Sequence, residues 1–145
     1  NSDIVSNLDF AQTFLDIAGV KSPADMQGTS LVPLFKGHTP KDWRTHFYYH
    51  YYEFPGAHSV ARHYGVTNGR HKLIHFYQKN EWELFDLKKD PNELQSVYGN
   101  SDYKTIQSDL LAELKRLRVH YKVPEEDPVP PKRKRPNQPN RPKKK

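Results

Sequence analysis

The sequence predicts an α+β unit, a small antiparallel sheet of about four strands packed against a long C-terminal helix. Two observations carry most of this. Between Phe47 and Leu87 lie four short runs rich in aromatic and β-branched residues, separated by Pro55-Gly56, Asn68-Gly69 and Gln78-Lys79-Asn80, which is how an antiparallel meander reads. Beyond them, Tyr103, Ile106, Leu110, Leu114, Leu117 and Tyr121 recur every three or four residues, as the apolar stripe of one helix does. The order helix, strands, helix, with no internal repeat, places helices over one face of the sheet.

The first helix is predicted over about Phe10 to Ala18. Asp9 and Gln12 have the spacing of a capping box, Phe10, Phe14 and Ile17 share a face with Leu15 and Ala18 beside it, and Gly19 suits the left-handed stop. In MQGTSLVPLFKG, Ser30 is placed to cap a short helical turn carrying Leu31, Leu34 and Phe35. Pro33 is tolerated there because the first turn has no partner for its missing N–H. Trp43 is expected to anchor the polar connection that follows.

The strands are Phe47 to Phe54, Ser59 to Thr67, His71 to Tyr77 and Trp82 to Leu87. Asn68-Gly69 is expected to supply both positive φ angles of a type I′ hairpin turn. Asp90-Pro91-Asn92-Glu93 reads as a turn opening a short helical segment through Leu94, Val97 and Tyr98. The last helix is predicted over about Asp102 to Lys122, capped by Ser101, with Lys115, Arg116, Arg118 and Lys122 near its end to suit the dipole. Pro124 stops it.

Composition divides the chain further. Pro124 to Lys145 holds seven of the twelve prolines and no aromatic residue, too little apolar surface to offset the entropy of ordering it. It is expected to be a disordered tail after a unit spanning 1–123. The tail carries eight Lys/Arg against three Asp/Glu, so five of the chain's six net positive charges belong to it. A nucleic-acid binder shows its charge on a folded face beside stacking aromatics, and no nucleic-acid partner is expected. The absence of cysteine excludes disulfides, thiolate metal sites and a cysteine nucleophile in this chain, and leaves the compartment open. No run is long and apolar enough for a membrane helix. Since the chain starts at Asn1, its beginning reads as internal to a longer protein.

Taken together, NLDFAQTFLDIAGV, MQGTSLVPLFKG, HYGVTNGRHKLIHFY and WELFDLKKDPNELQSVY resemble, in order and spacing, the C-terminal part of type I sulfatases. The likeness is strongest to the branch of N-sulfoglucosamine sulfohydrolase and bacterial glycosaminoglycan or N-acetylglucosamine sulfatases, and covers about Ser2 to Tyr121. It implies an alkaline-phosphatase-like parent, with residues 1–19 closing the larger catalytic domain. It also implies hydrolysis of sulfate esters or sulfamates of sulfated sugars by a formylglycine nucleophile beside calcium, in the periplasm or outside the cell. The nucleophile's C/S-x-P-x-R motif, an Asp-Asp pair and Asp-His-Gly are all missing here. A hard cation needs converging oxygens and sulfate transfer an activated nucleophile. Alone the chain is therefore expected to be inactive, with the N-terminal catalytic domain of the same polypeptide as its partner.

Candidate substrate contacts are His58, Arg62 and His63 in PGAHSVARHYGV. Arginine's planar fork matches sulfate, imidazoles donate to sugar oxygens, and the resemblance implies that this subdomain closes one side of the pocket. The bland alternative is an ordinary surface pair on a strand. His46 with His50, and His71 with His75, invite a zinc reading, but without cysteine or a nearby acidic shell hydrogen-bonded histidines are favoured. The Tyr and Phe band is read as core ahead of sugar stacking, and Trp82 and Phe85 as filling between sheet and helix. Lys132 to Arg135 has the composition of a polyanion-binding patch. The alternative function is accordingly a non-catalytic polyanion-binding module using the tail.

Overall fold

The computed structural model describes residues 1–127. Four strands form one antiparallel sheet in chain order: β1 (Phe47–Tyr51), β2 (His63–Thr67), β3 (His71–Phe76) and β4 (Glu81–Asp86). Helix α1 (Asp9–Ile17) and the short α2 (Val32–Phe35) precede them. A 3₁₀ turn (Ser101–Tyr103) then leads into α3 (Lys104–His120).

Strand alternation sorts the side chains. Val66, Leu73 and Leu84 point from β2, β3 and β4 toward Leu110, Leu114 and Leu117 of α3, and these six form the buried cluster. Tyr48, Tyr64, Trp82, Tyr103, Ile106 and Tyr121 pack around it. On the reverse face Ile74 and Phe85 are buried, so Phe85 does not fill the sheet–helix interface as the sequence suggested. Gly65 sits opposite Ile74, and a Cβ there would collide with the Leu73 carbonyl and meet the Tyr49 hydroxyl at 2.7 Å. Only glycine lets Tyr49 lie across the sheet at that point.

The hairpin joining β2 and β3 turns one residue later than expected. Thr67 faces Lys72, leaving Gly69-Arg70 at the centre, and the positive φ of 86° falls on Gly69. That fits a turn with glycine first rather than the type I′ pair. Asn68 instead accepts hydrogen bonds at Oδ1 from the backbone N–H groups of Arg70 and His71.

Two caps also shifted, and one expected helical segment is absent. Helix α1 starts with a capping box, but on Ser6 and Asp9: the Ser6 hydroxyl accepts from Leu8 N–H, and the Asp9 carboxylate reaches back to Ser6 N–H at 2.7 Å. Asn100, not Ser101, caps the 3₁₀ turn, accepting from Asp102 N–H at 2.9 Å. The Asp90 segment opens no helix. Asp90 Oδ2 accepts from Leu94 and Gln95 N–H, and Glu93 takes a positive φ. The chain then runs along β4, where Leu84 N–H donates to Ser96 Oγ and Val97 N–H to the Leu84 carbonyl. This covers an edge strand that would otherwise present unpaired backbone. Ser30 does accept from Val32 N–H at the start of α2. Trp43 is buried and donates its indole N–H to the Ile4 carbonyl.

The largest departure concerns α1. Among the described helices it is α3 that covers the sheet; α1 lies against α2 and loops. Its inward side is Asp9, Gln12 and Thr13, while Phe10, Phe14 and Ile17 are 55%, 68% and 67% exposed. Val5, Leu8, Val20 and Phe35 are exposed as well. Two of these inward residues have their partners there: Asp9 binds Arg44 and Thr29 N–H, and Thr13 Oγ1 accepts from Leu31 N–H at 2.9 Å.

Candidate functional site

The most connected polar cluster lies where β1, the start of β2 and the end of β3 meet the segment after α3. His50 takes one hydrogen bond with the Tyr48 hydroxyl (3.0 Å) and a longer one with Tyr77 (3.4 Å), and stacks on Tyr52 at 3.7 Å between ring centroids. Tyr77 donates its hydroxyl to Asp127 at 2.7 Å, and Arg62 donates to the same oxygen at 2.9 Å. Arg118 lies over the Tyr64 ring at 4.1 Å, and Tyr64 meets His75 Nδ1 at 2.8 Å.

This environment fixes the charge states. Burial drives His50 down to about 4, outweighing the upward pull of Asp127, with Arg118 adding to the shift. Burial pushes Asp127 up, but the hydrogen bonds from Tyr77 and Arg62 win and its carboxyl lies below the ordinary value. Burial likewise raises Tyr48 to about 12. His50 is thus a neutral ring at pH 7. An unfolded histidine takes its proton near pH 6.5, and the folded one near 4. Stability is therefore expected to be full above about pH 6.5 and to fall as pH drops toward 4. A His50→Gln variant should show a flatter dependence of melting temperature on pH across that window. An unchanged slope would remove His50 as its source.

The three sequence candidates are placed differently. His58 is exposed in the loop between β1 and β2. Arg62 is mostly buried, held by Asp127 and, at 3.4 Å, by the Phe54 carbonyl. His63 is stacked on Tyr51, contacts Phe76, and meets the Ala61 carbonyl through Nδ1 at 2.8 Å. Arg62 and His63 are consecutive at the mouth of β2, whereas His58 is joined to them only by the loop.

Sequence reasoning missed His50, Tyr77, Arg118 and Asp127 as one cluster. Alternation in FYYHYY and HKLIHFY put Tyr48 with His50, and His75 with Tyr77, on single faces. Asp127 is 65 residues from Arg62, and no local pattern marks that pairing.

The histidine pairs are engaged with neighbours: His75 with Tyr64, His71 at 3.7 Å from Asp86, His46 with Thr45 and at 3.8 Å from Glu113. Among the described residues no three His, Cys, Asp or Glu side chains converge as a metal site. Five of the seventeen acids instead face cations: Asp9 with Arg44, Asp86 with Arg70, Glu93 with Lys72, Glu113 with Arg116 and Asp127 with Arg62. These residues do not fit a calcium site, and the sequence has no Cys or C/S-x-P-x-R motif to yield formylglycine. No helix among the described residues is long and apolar enough to cross a membrane. The basic run from Lys132 onward lies outside the described residues.

The meander, its covering helix and the order of the motifs agree with one family. The chain belongs to the family of the N-sulphoglucosamine sulphohydrolase C-terminal region, whose model matches residues 1–120. Among its relatives, an N-acetylglucosamine-6-O-sulfatase of Bacteroides thetaiotaomicron is 49% identical over 125 residues, which cover 84% of this chain and 22% of the relative. A Delta 4,5-hexuronate-2-O-sulfatase of the same organism is 33% identical, covering 79% of this chain and 23% of the relative. The solved structure of BT4656 in complex with its substrate D-glucosamine-2-N,6-O-disulfate superimposes with a TM-score of 0.77 and 48% identity, over 81% of this chain and 24% of that one. A phosphonate monoester hydrolase of Agrobacterium radiobacter shares the fold at a TM-score of 0.65 and 26% identity, over 82% and 26% of the two chains. The chain thus spans less than a quarter of the curated sulfatases first compared.

Proposed function

We propose that this chain is the part of a sulfated-sugar sulfatase that completes the fold and forms one wall of the substrate pocket. The observation that carries this is the outward apolar stripe of α1. Phe10, Phe14 and Ile17 stand exposed on a helix whose polar side is locked inward, which suits a helix packed between this unit and a larger body. The partner is the N-terminal catalytic domain of the same polypeptide. That domain supplies the formylglycine nucleophile and calcium, and the chain here supplies neither.

His58, Arg62 and His63 are the residues of this chain that reach the sulfated sugar. Arg62 supports the reading by already holding a carboxylate oxygen at 2.9 Å, in the geometry a sulfate oxygen would take. Removing a charge-assisted hydrogen bond costs about 1.5–3 kcal/mol. In the polypeptide that carries this chain, Arg62→Ala is therefore expected to lower kcat/KM for 6-O-sulfated N-acetylglucosamine by about 10- to 100-fold, mostly through KM. Asp127→Asn, which releases the guanidinium, should not lower it. Equal losses in both variants would make the pair purely structural, and no loss in Arg62→Ala would remove it from the pocket.

A further inference from the structure

On the α3 side of the sheet a groove of about 410 Å³ runs between Tyr64 and Trp82 below and α3 above. Leu111 and Leu114 add apolar lining from the helix side, and Lys115 and Lys122 stand at the rim against the single lining acid Glu125. At its base Arg118 stacks on Tyr64, and its Nη1 is buried without a hydrogen-bond partner. Arg118 forms no salt bridge among the described residues, whereas Arg44, Arg62, Arg70 and Arg116 each hold a carboxylate. A buried guanidinium N–H without an acceptor is costly, and an oxygen anion would relieve it.

We propose that this groove is a second binding site, taking a sulfated sugar unit of a longer glycan. The sulfate would pair with the positive charge that Arg118, Lys115 and Lys122 bring to the groove, and the C–H face of the ring would lie on its apolar lining. Net positive charge around an apolar groove fits a sulfated saccharide better than an apolar peptide or a neutral sugar. The inference rests on the reading of the polypeptide as a sulfatase of sulfated sugars. Such a site holds a chain while its end is hydrolysed elsewhere.

The test is lysine footprinting on the polypeptide that carries this chain. A heparin-derived tetrasaccharide bearing N- and 6-O-sulfates serves as the probe, and its unsulfated counterpart as the control. Acetylation of Lys115 and Lys122, followed by mass spectrometry, is expected to slow about ten-fold with the sulfated probe alone, while Lys36 and Lys88 label as before. Arg118→Gln, shown folded by its melting temperature, should abolish the protection. Equal labelling with and without the sulfated probe overturns the proposal, as does equal protection by the unsulfated one. Lysines 115 and 122 already shielded in the free polypeptide overturn it too, because the groove would then be covered. Hydrolysis of 6-O-sulfated N-acetylglucosamine by the unaltered polypeptide is measured alongside. If hydrolysis is present and protection absent, the groove proposal alone fails; if hydrolysis is absent, the sulfatase reading fails.

Discussion

Arg44→Ala is expected to destabilise the N-terminal part of this unit by about 3–5 kcal/mol, the cost of removing one partner from a buried ion pair. Asp9 is wholly buried, and its carboxylate is the meeting point of three segments. It accepts from Ser6 N–H at 2.7 Å, from Thr29 N–H at 2.8 Å and from both terminal nitrogens of Arg44, one of them at 2.9 Å. The start of α1, the loop before α2 and the approach to β1 are thereby tied at one point. Without the guanidinium, a buried charge keeps only two backbone donors. Arg44→Lys should rescue little, because an ammonium cannot fill a fork that binds both carboxylate oxygens. Hydrogen exchange of the α1 amides is the fitting measurement, since it reads local opening in a polypeptide whose global unfolding need not be two-state. A shift below about 1 kcal/mol, the level of an exposed pair, would show the knot to be ornamental to stability.

Leu84→Ala is expected to cost about 2–5 kcal/mol. Leu84 is fully buried on β4, directly opposite Leu73, in the layer that Leu110, Leu114 and Leu117 close from above. The sheet backbone cannot follow the lost methyls without breaking its ladder to β3, so most of the cavity stays open. Leu84→Ile keeps the volume and should cost less than about 1.5 kcal/mol. Denaturant midpoints of the two variants, followed by exchange at the β3 and β4 amides, check the ratio. A loss for alanine no greater than for isoleucine would place the core elsewhere.

The site was partly legible. Within the cluster around Asp127, Arg62 stood out in the sequence because its planar fork suits an oxygen anion; of the other two candidates, His63 lies beside it in sequence and His58 stands exposed in the loop. Their surroundings did not stand out. The Asp127 carboxylate that holds Arg62, and the Arg118 guanidinium stacked on Tyr64, arrive from a segment and a helix far along the chain. Both positions read locally as ordinary charged residues, one in a proline-rich run and the other near a helix end.

By itself the sequence determined the four-stranded meander, the long covering helix and the sulfatase family. Period-2 and period-3.6 patterns and turn residues are local signals, and the motif succession does not depend on how the chain packs. Only the tertiary structure decided which face of α1 turns inward. Its apolar stripe gave the usual sign of a core face, yet Asp9 and Thr13 have their partners within this unit, while the aromatic side stays exposed among the described residues. Amphipathicity says that two faces differ; which one meets this chain is set by where the hydrogen-bond partners lie. The same holds for the hairpin turn and the caps, where one residue of offset changes no hydrophobic pattern but reassigns each backbone donor.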